Sequence, residues 1–289
     1  MVDLKKIFHE GKISEIIPET GGGISGEAHL LEYKNKKFIV RICRDLKTAK
    51  KYEKISLKLK KFKIFPKFLG RYGKNVFYEF LEGRDLRENE ILDVYRQMGR
   101  ITAIVGTFDN LKGETRFYAQ VKKLESGNFF TENHRVQRRN ERYGERLDKR
   151  RIKSIFSKKM AREVEDLYEY LSKNFKLEFI CDINDITKEN FRLSKGRVYF
   201  VDIEAIKPRL KGFGIAKCFL KIAKTENRRK SFKKGFEEVS EWFFEGEYAD
   251  LCYLMYTVQD LVFRCQIGRK HDESLNRLKK LLKKYSTKK

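Results

Sequence analysis

Proline and tryptophan are scarce in this 289-residue chain, at three residues and one. With no low-complexity stretch either, the sequence offers no flexible linker, so any lobes must be joined tightly. No internal repeat of solenoid or propeller period is present. Cysteine is sparse as well: Cys43, Cys181, Cys218, Cys252 and Cys265 are odd in number, scattered, and lack C-x-x-C spacing. That excludes a disulfide framework and a cysteine zinc site, and points to a reducing, cytoplasmic compartment. The four histidines have no metal-ligand spacing, and no Gly-x-Ser-x-Gly or Cys/His pairing signals hydrolase chemistry. The N-terminal stretch "MVDLKKIFHEGKISEII" is charged throughout, unlike a signal peptide. The longest apolar stretch, "LCYLMYTVQDLVF", is broken by Gln259 and Asp260, so no transmembrane segment is expected.

Charge is what the chain has in excess. Lysine and arginine number 66 against 41 aspartate and glutamate, a net charge of +25. Such a field concentrates anions, whether nucleotides, phosphorylated metabolites, nucleic acid or anionic lipid. A thermophile-like surface rich in both lysine and glutamate accounts for it equally well. The densest segment, 131–160, holds eleven basic and four acidic residues. Val136, Tyr143 and Leu147 share a helical face there, continued by Ile155 and Phe156. The segment reads as a solvated helix packed by that stripe, with an RNA-contacting arm as the alternative. A 40% hydrophobic content, with 23 Phe and 14 Tyr, supports sizeable cores. Trp242 is expected in one of them, and Leu275, Leu278, Leu281 and Leu282 are expected to dock a C-terminal helix.

Along the chain, strand patterns come first. "KISEIIPE", "EAHLLEY" and "KFIVRICR" alternate with period two, with "TGGGISG" between the first pair and a turn at residues 34–36 in the second. Helical spacing follows over 46–62, through Ala49, Tyr52, Ile55 and Leu59. Two more strands meet at a tight turn near Gly73. From 89 to 108 the apolar positions Ile91, Leu92, Tyr95, Met98, Ile101 and Ile104 form a helix face. Residues 109–175 read as charged and largely helical, 177–206 as short strands and loops, and the remainder as helices at "FKKGFEEVSEWFF", "YADLCYLMYTVQDLVF" and "SLNRLKKLLKKYS".

The stretch "CDINDITKENF", 181–191, places acids and amides beside apolar strands. Buried polar groups are costly unless paired or bound to a charged ligand. Asp182 and Asn184 fit turn and loop support. Asp185 and Asn190, five apart, are followed by Asp202 at the end of the strand "VYFVDIE". Phosphoryl transfer needs a carboxylate to orient the attacking hydroxyl and oxygen ligands for Mg²⁺, and these three residues supply that set.

In this order the residues resemble the protein-kinase-like phosphotransferases, in particular the aminoglycoside phosphotransferase and choline kinase branch. "DITKEN" also resembles RIO-type atypical kinases. The likeness spans residues 13–206. It implies an α+β, two-lobed protein-kinase-like fold, with a small antiparallel β-rich N-lobe at 1–83 and a mostly helical C-lobe at 84–289. It further implies an ATP- and Mg²⁺-dependent kinase that moves the γ-phosphate to the hydroxyl of an acceptor, a small molecule and possibly an anionic one. Asp185 would be the catalytic base, and Asn190 and Asp202 the metal ligands. Gly21, Gly22, Gly23, Ser25 and Gly26 would form the loop over the phosphates, and Arg41 would contact them, oriented by Glu53. Backbone groups near Glu79 and Leu81 would hold adenine. Ile183 stands where the family usually has His, and no Ala-Pro-Glu-like peptide-docking stretch follows Asp202. An atypical Ser/Thr protein kinase, and a nucleotide-binding pseudokinase or RNA-associated module without turnover, stay open as alternatives.

Overall fold

The computed structural model describes residues 3–16, 26–108, 116–127, 155–266 and 270–286. The loop residues Gly21, Gly22, Gly23 and Ser25, and most of the basic segment 131–160, lie outside them. The chain divides into two compact units, each discontinuous in sequence: residues 1–109, 181–207 and 218–242, and residues 110–180, 208–217 and 243–289.

The first unit is built on a five-stranded antiparallel sheet. Its strands are β1 (Lys12–Ile16), β2 (Gly26–Tyr33), β3 (Lys36–Cys43), β4 (Phe68–Tyr72) and β5 (Asn75–Glu79), in spatial order β1-β2-β3-β5-β4. Alternation along β3 sorts its side chains onto two faces. Phe38 and Val40, with Ile42, join Ile7, Leu31 and Phe77 in one core. Ile7 comes from α1 (Leu4–Glu10), a short helix capped by Asp3. With one fully buried residue in seven, α1 carries no readable helical period, and nothing in the sequence pattern announces it.

The opposite face of β3 carries Arg41 and Cys43, both buried. Against this side lies α2 (Leu46–Lys60), which buries Ala49, Tyr52, Ser56 and Leu59. The Ser56 and Tyr78 hydroxyls bond at 2.9 Å, which ties α2 to β5. The helix begins where Asp45 accepts the Thr48 N–H at 2.7 Å, an N-cap that satisfies an otherwise orphaned donor.

After β5 the chain runs through a short strand, β6 (Arg84–Asp85), into α3 (Leu92–Gly106). Gly83 sits at φ +151, and a Cβ there would meet the Leu193 carbonyl oxygen at 2.2 Å, so only glycine fits. Helix α3 packs against α7 (Glu226–Glu237) through Gly99 and Gly235. A Cβ at Gly99 would lie 1.9 Å from the Phe232 carbonyl oxygen, and one at Gly235 1.7 Å from that of Arg96. α7 begins six residues before the "FKKGFEEVSEWFF" pattern and ends within it, where Val239 and Ser240 N–H groups turn back to the Phe236 carbonyl. Trp242 therefore lies beyond the helix and half-buried, stacked on Phe219 at 6.2 Å.

Strands β7 (Phe179–Ile183) and β10 (Ile206–Leu210) pair with each other, and β8 (Phe191–Ser194) joins β6 and β9 (Arg197–Phe200) in a three-stranded sheet. The hairpin β8–β9 turns at Lys195 and Gly196. Helix α6 (Phe213–Lys221) follows β10, over residues whose sequence gave no element.

The second unit is helical. α4 (Phe117–Ser126), α5 (Lys158–Lys173), α8 (Gly246–Gln266) and α9 (Asp272–Tyr285) pack on one another. Phe117 stacks on Tyr168 with ring centroids 4.2 Å apart, and α9 buries Leu278 and Leu281 as its leucine spacing predicts. Two buried acids of α8 fasten α9. Asp250 accepts from the Tyr285 hydroxyl at 2.5 Å and Lys284 at 2.6 Å. Asp260 accepts from the Ser274 hydroxyl at 2.5 Å and from Arg264 at 2.8 Å. Among the described residues no helix is long and apolar enough to cross a membrane. An antiparallel N-terminal sheet followed by a mainly helical remainder is the α+β arrangement expected from the sequence.

Candidate active site

The loop between β7 and β8 is held by its own hydrogen bonds. Thr187 N–H donates to the Asp185 carbonyl at 3.0 Å, and Asn190 N–H to the Thr187 carbonyl at 3.2 Å. The Asn190 side-chain nitrogen closes the loop on the Asp185 carbonyl at 2.7 Å. A carbonyl can only accept, so this contact fixes the amide orientation and leaves Asn190 Oδ1 free of the Asp185 carbonyl as an acceptor. The Asn190 carbonyl in turn accepts the Val201 N–H at 2.9 Å, one residue before Asp202. Asp185, Asn190 and Asp202 are thus brought to one place by a six-residue loop and the end of β9. Ile183, fully buried in β7, and Asn184, whose N–H bonds the Ala205 carbonyl at 2.7 Å, anchor the loop from behind. Asp182 is buried and accepts the Ile183 N–H, consistent with support of the turn.

Asp202 also caps the short 3₁₀ turn Ile203–Ala205, accepting the Glu204 N–H on Oδ1 at 3.0 Å. Arg41 reaches the same oxygen at 3.6 Å and Glu204 Oε1 at 3.1 Å. The Tyr52 hydroxyl donates to that Glu204 oxygen, also at 3.1 Å, and the Arg41 guanidinium lies 5.8 Å from the Tyr52 ring centre. Burial opposes the charge on Arg41, and the carboxylates of Asp202 and Glu204 outweigh it, so the guanidinium stays charged. Burial pushes the Asp202 carboxyl above the usual carboxylate range. Arg41 pulls it back, and the negative charges of Glu204 and Asp185 push it the same way as burial. Cys43, on the same face as Arg41, is pushed up to about 11 by burial and is no nucleophile.

The expected pairing of Arg41 with Glu53 is not what the structure holds. Glu53 accepts from Arg71 of β4 at 2.7 Å, and Arg71 also bonds the Gly73 carbonyl. Helix α2 turns Tyr52, not Glu53, toward Arg41, because Tyr52 lies on its buried stripe with Ala49, Ser56 and Leu59. The acid that meets Arg41 comes instead from Glu204, two residues beyond Asp202. The stretch "VYFVDIE" carries Glu204 with no role read for it, and Tyr52 counts in the sequence only toward the apolar face of α2. An acid spaced two residues from a metal-ligand candidate was the available signal.

Of the expected adenine-binding backbone, the Glu79 N–H bonds the Lys67 carbonyl at 3.0 Å. The Leu81 carbonyl accepts from Arg192 Nε at 2.9 Å, and the Gly83 carbonyl from the same guanidinium at 2.9 Å. Arg192, two residues after Asn190, was not foreseen; it ties the segment after β5 to the strand that follows the loop. Gly26 opens β2, opposite Cys43 in register.

Whether a divalent cation suits this place follows from the donors present. Neither Asp202 Oδ2 nor Asn190 Oδ1 makes a hydrogen bond among the described residues, and both are hard oxygen donors of the kind Mg²⁺ takes. Among the described residues no cluster of three or more His, Cys, Asp or Glu could hold a metal by itself.

Comparison with known proteins follows from this geometry. No curated protein sequence matches the chain. Among solved structures it is similar to the choline kinase LicA from Streptococcus pneumoniae, at 18% identity and a TM-score of 0.60, covering 97% of each chain. It is similar to an ethanolamine kinase from Plasmodium vivax, at 14% identity and 0.60, covering 98% of this chain and 83% of that one. A spectinomycin phosphotransferase in complex with ADP and spectinomycin aligns at 12% identity and 0.55, covering 96% and 89%. At these identities the likeness establishes a shared fold, that of the kinase-like phosphotransferases. The sequence itself matches the family described as choline/ethanolamine kinase over residues 19–237, most of its length, and the chain belongs to that family.

Proposed function

We propose that the protein transfers the γ-phosphate of ATP, with Mg²⁺, to the hydroxyl of a small-molecule alcohol, and that Asp185 orients that hydroxyl. The observation that carries this reading is the convergence of Asp185, Asn190 and Asp202 on one loop and strand end, with the buried charge of Arg41 beside Asp202. Asn190 and Asp202 would hold Mg²⁺, which when bound neutralises charge on the phosphates. Arg41, pre-set by Glu204 and Tyr52, would contact the phosphates as a fixed donor that needs no reorganisation. The Asp185 carboxylate would accept the proton of the attacking hydroxyl. Gly21, Gly22, Gly23, Ser25 and Gly26 would cover the phosphates, since glycine lets backbone N–H groups approach them. Backbone near Glu79 and Leu81 would hold the base, with the Leu81 carbonyl shared with Arg192. Choline, ethanolamine, spectinomycin and macrolides are acceptors named for the similar structures, so amino alcohols head the candidates. Five free cysteines suit a reducing, cytoplasmic setting.

The test is transfer of labelled γ-phosphate from ATP to a panel of hydroxylated small molecules, amino alcohols first. Wild type is expected to label at least one acceptor. Asp185→Asn should lower the rate by about 10²–10⁴-fold while nucleotide binding persists. Transfer that is undiminished in Asp185→Asn would overturn the assignment.

A further inference from the structure

We propose that the outer face of α2 docks the protein on anionic lipid bilayers, a role independent of the catalytic reading above. The helix "LKTAKKYEKISLKLK" has six lysines and one acid, and that acid, Glu53, is bonded to Arg71. Lys47, Lys50, Lys51, Lys54 and Lys60 are exposed, as is Lys61 just beyond the helix, and none of them makes an ion pair among the described residues. Two other helices pair some of their surface cations. On α7, Lys230 pairs with Glu226 at 3.8 Å and Lys233 with Glu237 at 3.7 Å; on α9, Arg277 pairs with Glu273 at 2.9 Å and Lys284 with Asp250 at 2.6 Å. α9 also leaves Lys279, Lys280 and Lys283 without an ion pair among the described residues, so what marks α2 is the apolar side chains that stand among its lysines.

Two leucines stand among those lysines. Leu46 is 48% exposed and Leu57 55% exposed. They are separated by eleven residues, close to three turns of 3.6, so they lie on one line along the helix. At 100° per residue, Lys50, Lys61 and Lys54 fall beside that line on one flank and Lys60 on the other. At 100° per residue the leucines lie roughly 60–80° from Ala49, at the margin of the buried stripe of Ala49, Tyr52, Ser56 and Leu59, and their exposure sets them outside the core.

Leucines at half exposure, bordered by flexible cations, match the boundary between lipid headgroups and acyl chains. Lysines meet the negative surface potential, and leucines enter the apolar edge. Nucleic acid fits less well: the face has no arginine for bidentate phosphate contacts and no aromatic ring for base stacking. A leucine pair has nothing to meet on a phosphate backbone.

The test uses the full chain with phosphatidylcholine vesicles, with and without phosphatidylserine, read by co-sedimentation. Binding is expected only with phosphatidylserine, and it should weaken with salt. Lys50→Glu, Lys54→Glu and Lys61→Glu together should reduce it by about a hundredfold. Leu46→Ser with Leu57→Ser keeps every charge and should reduce it by about tenfold. A charge-matched control, Lys279→Glu, Lys280→Glu and Lys283→Glu on α9, should alter it by less than about threefold, because those lysines belong to a different helix with no exposed leucine of this kind among them. Unchanged thermal midpoints establish that the variants fold, and the leucine variant keeps the test open should the α2 charge variant not. Equal losses from the α2 and α9 charge variants would assign the binding to overall charge and overturn the proposal. So would equal binding to neutral vesicles, or an unaffected leucine variant together with tighter capture of RNA than of vesicles.

Discussion

Two junctions in the first unit use the same local device and reach opposite electrostatic ends. Where β3 meets α2, Asp45 caps a helix; where β9 leads toward β10, Asp202 caps a 3₁₀ turn. Asp45 is open to water and accepts the Thr48 N–H at 2.7 Å and Arg44 at 3.0 Å, and those bonds hold its carboxyl down at about 2. Asp202 has one comparable bond, a guanidinium at 3.6 Å, and two acidic neighbours, and burial drives its carboxyl up. The second unit sharpens the contrast. Its buried acids, Asp250 and Asp260, are each gripped by a hydroxyl at 2.5 Å and a cation within 2.8 Å. Structural carboxylates in this protein are supplied with donors. Asp202 is left short of them, as the proposed Mg²⁺ ligand would be.

The largest effects should follow from that shortage. Asp202→Asn is expected to cost at least about 10²-fold in phosphoryl transfer, with loss of the magnesium-dependent shift in nucleotide affinity. In magnesium-free buffer at neutral pH the same variant should unfold at no lower temperature than wild type. The sign follows from the raised carboxyl: folding binds the proton more tightly, so ionisation above the folded pKa works against the folded state. Asp260→Ala should do the reverse. It strands Arg264 and Ser274, so about 3 kcal/mol of stability should be lost while kcat of the folded fraction is kept. Calorimetry beside steady-state kinetics checks both, and a destabilised, active Asp202→Asn would dissolve the contrast.

How much of this was readable beforehand depends on range. The order of five strands around one helix, and the loop from Asp185 to Asn190, were legible because period-two alternation and a six-residue motif are local. Arg41 itself was legible as a cation in a strand. Its partner was not, because Glu53 and Tyr52 are neighbours on one helix, and a rotation of about 100° decides which of them faces inward. The apolar spacing of Ala49, Tyr52, Ile55 and Leu59 already put Tyr52 on the buried stripe, so that error was avoidable. Arg192 was not readable: its bonds to the Leu81 and Gly83 carbonyls span more than a hundred residues and depend on register. Helix α1 escaped for want of length.

The swapped pairing gives the next prediction. Glu204→Gln leaves the buried Arg41 with Asp202, at 3.6 Å, as its one carboxylate among the described residues. A loss of about 3 kcal/mol in stability and about tenfold or more in kcat/KM for ATP is expected. Glu53→Gln disturbs only the part-exposed pair with Arg71, and should cost under about 1 kcal/mol with activity kept. Tyr52→Phe removes one hydroxyl from Glu204, for about 1 kcal/mol and a few-fold in KM. If Glu53→Gln proves the more damaging to ATP use, the cation on β3 depends on α2's acid after all.

The smallest expected effect lies at the other junction. Asp45 has a carboxyl depressed to about 2 by the Thr48 N–H, so its contribution is whole above the unfolded carboxylate range. As pH falls from about 4 toward about 2 the proton competes with that N–H, and the contribution is lost. Asparagine caps helices as well as aspartate, but it has no carboxyl to titrate. Asp45→Asn should therefore match wild type in thermal stability near neutrality and lose less of it across that acid window. A variant that tracks wild type through the window would show that the cap at Asp45 is not worth more ionised than neutral. The two junctions would then differ only in burial, not in how their donors are supplied.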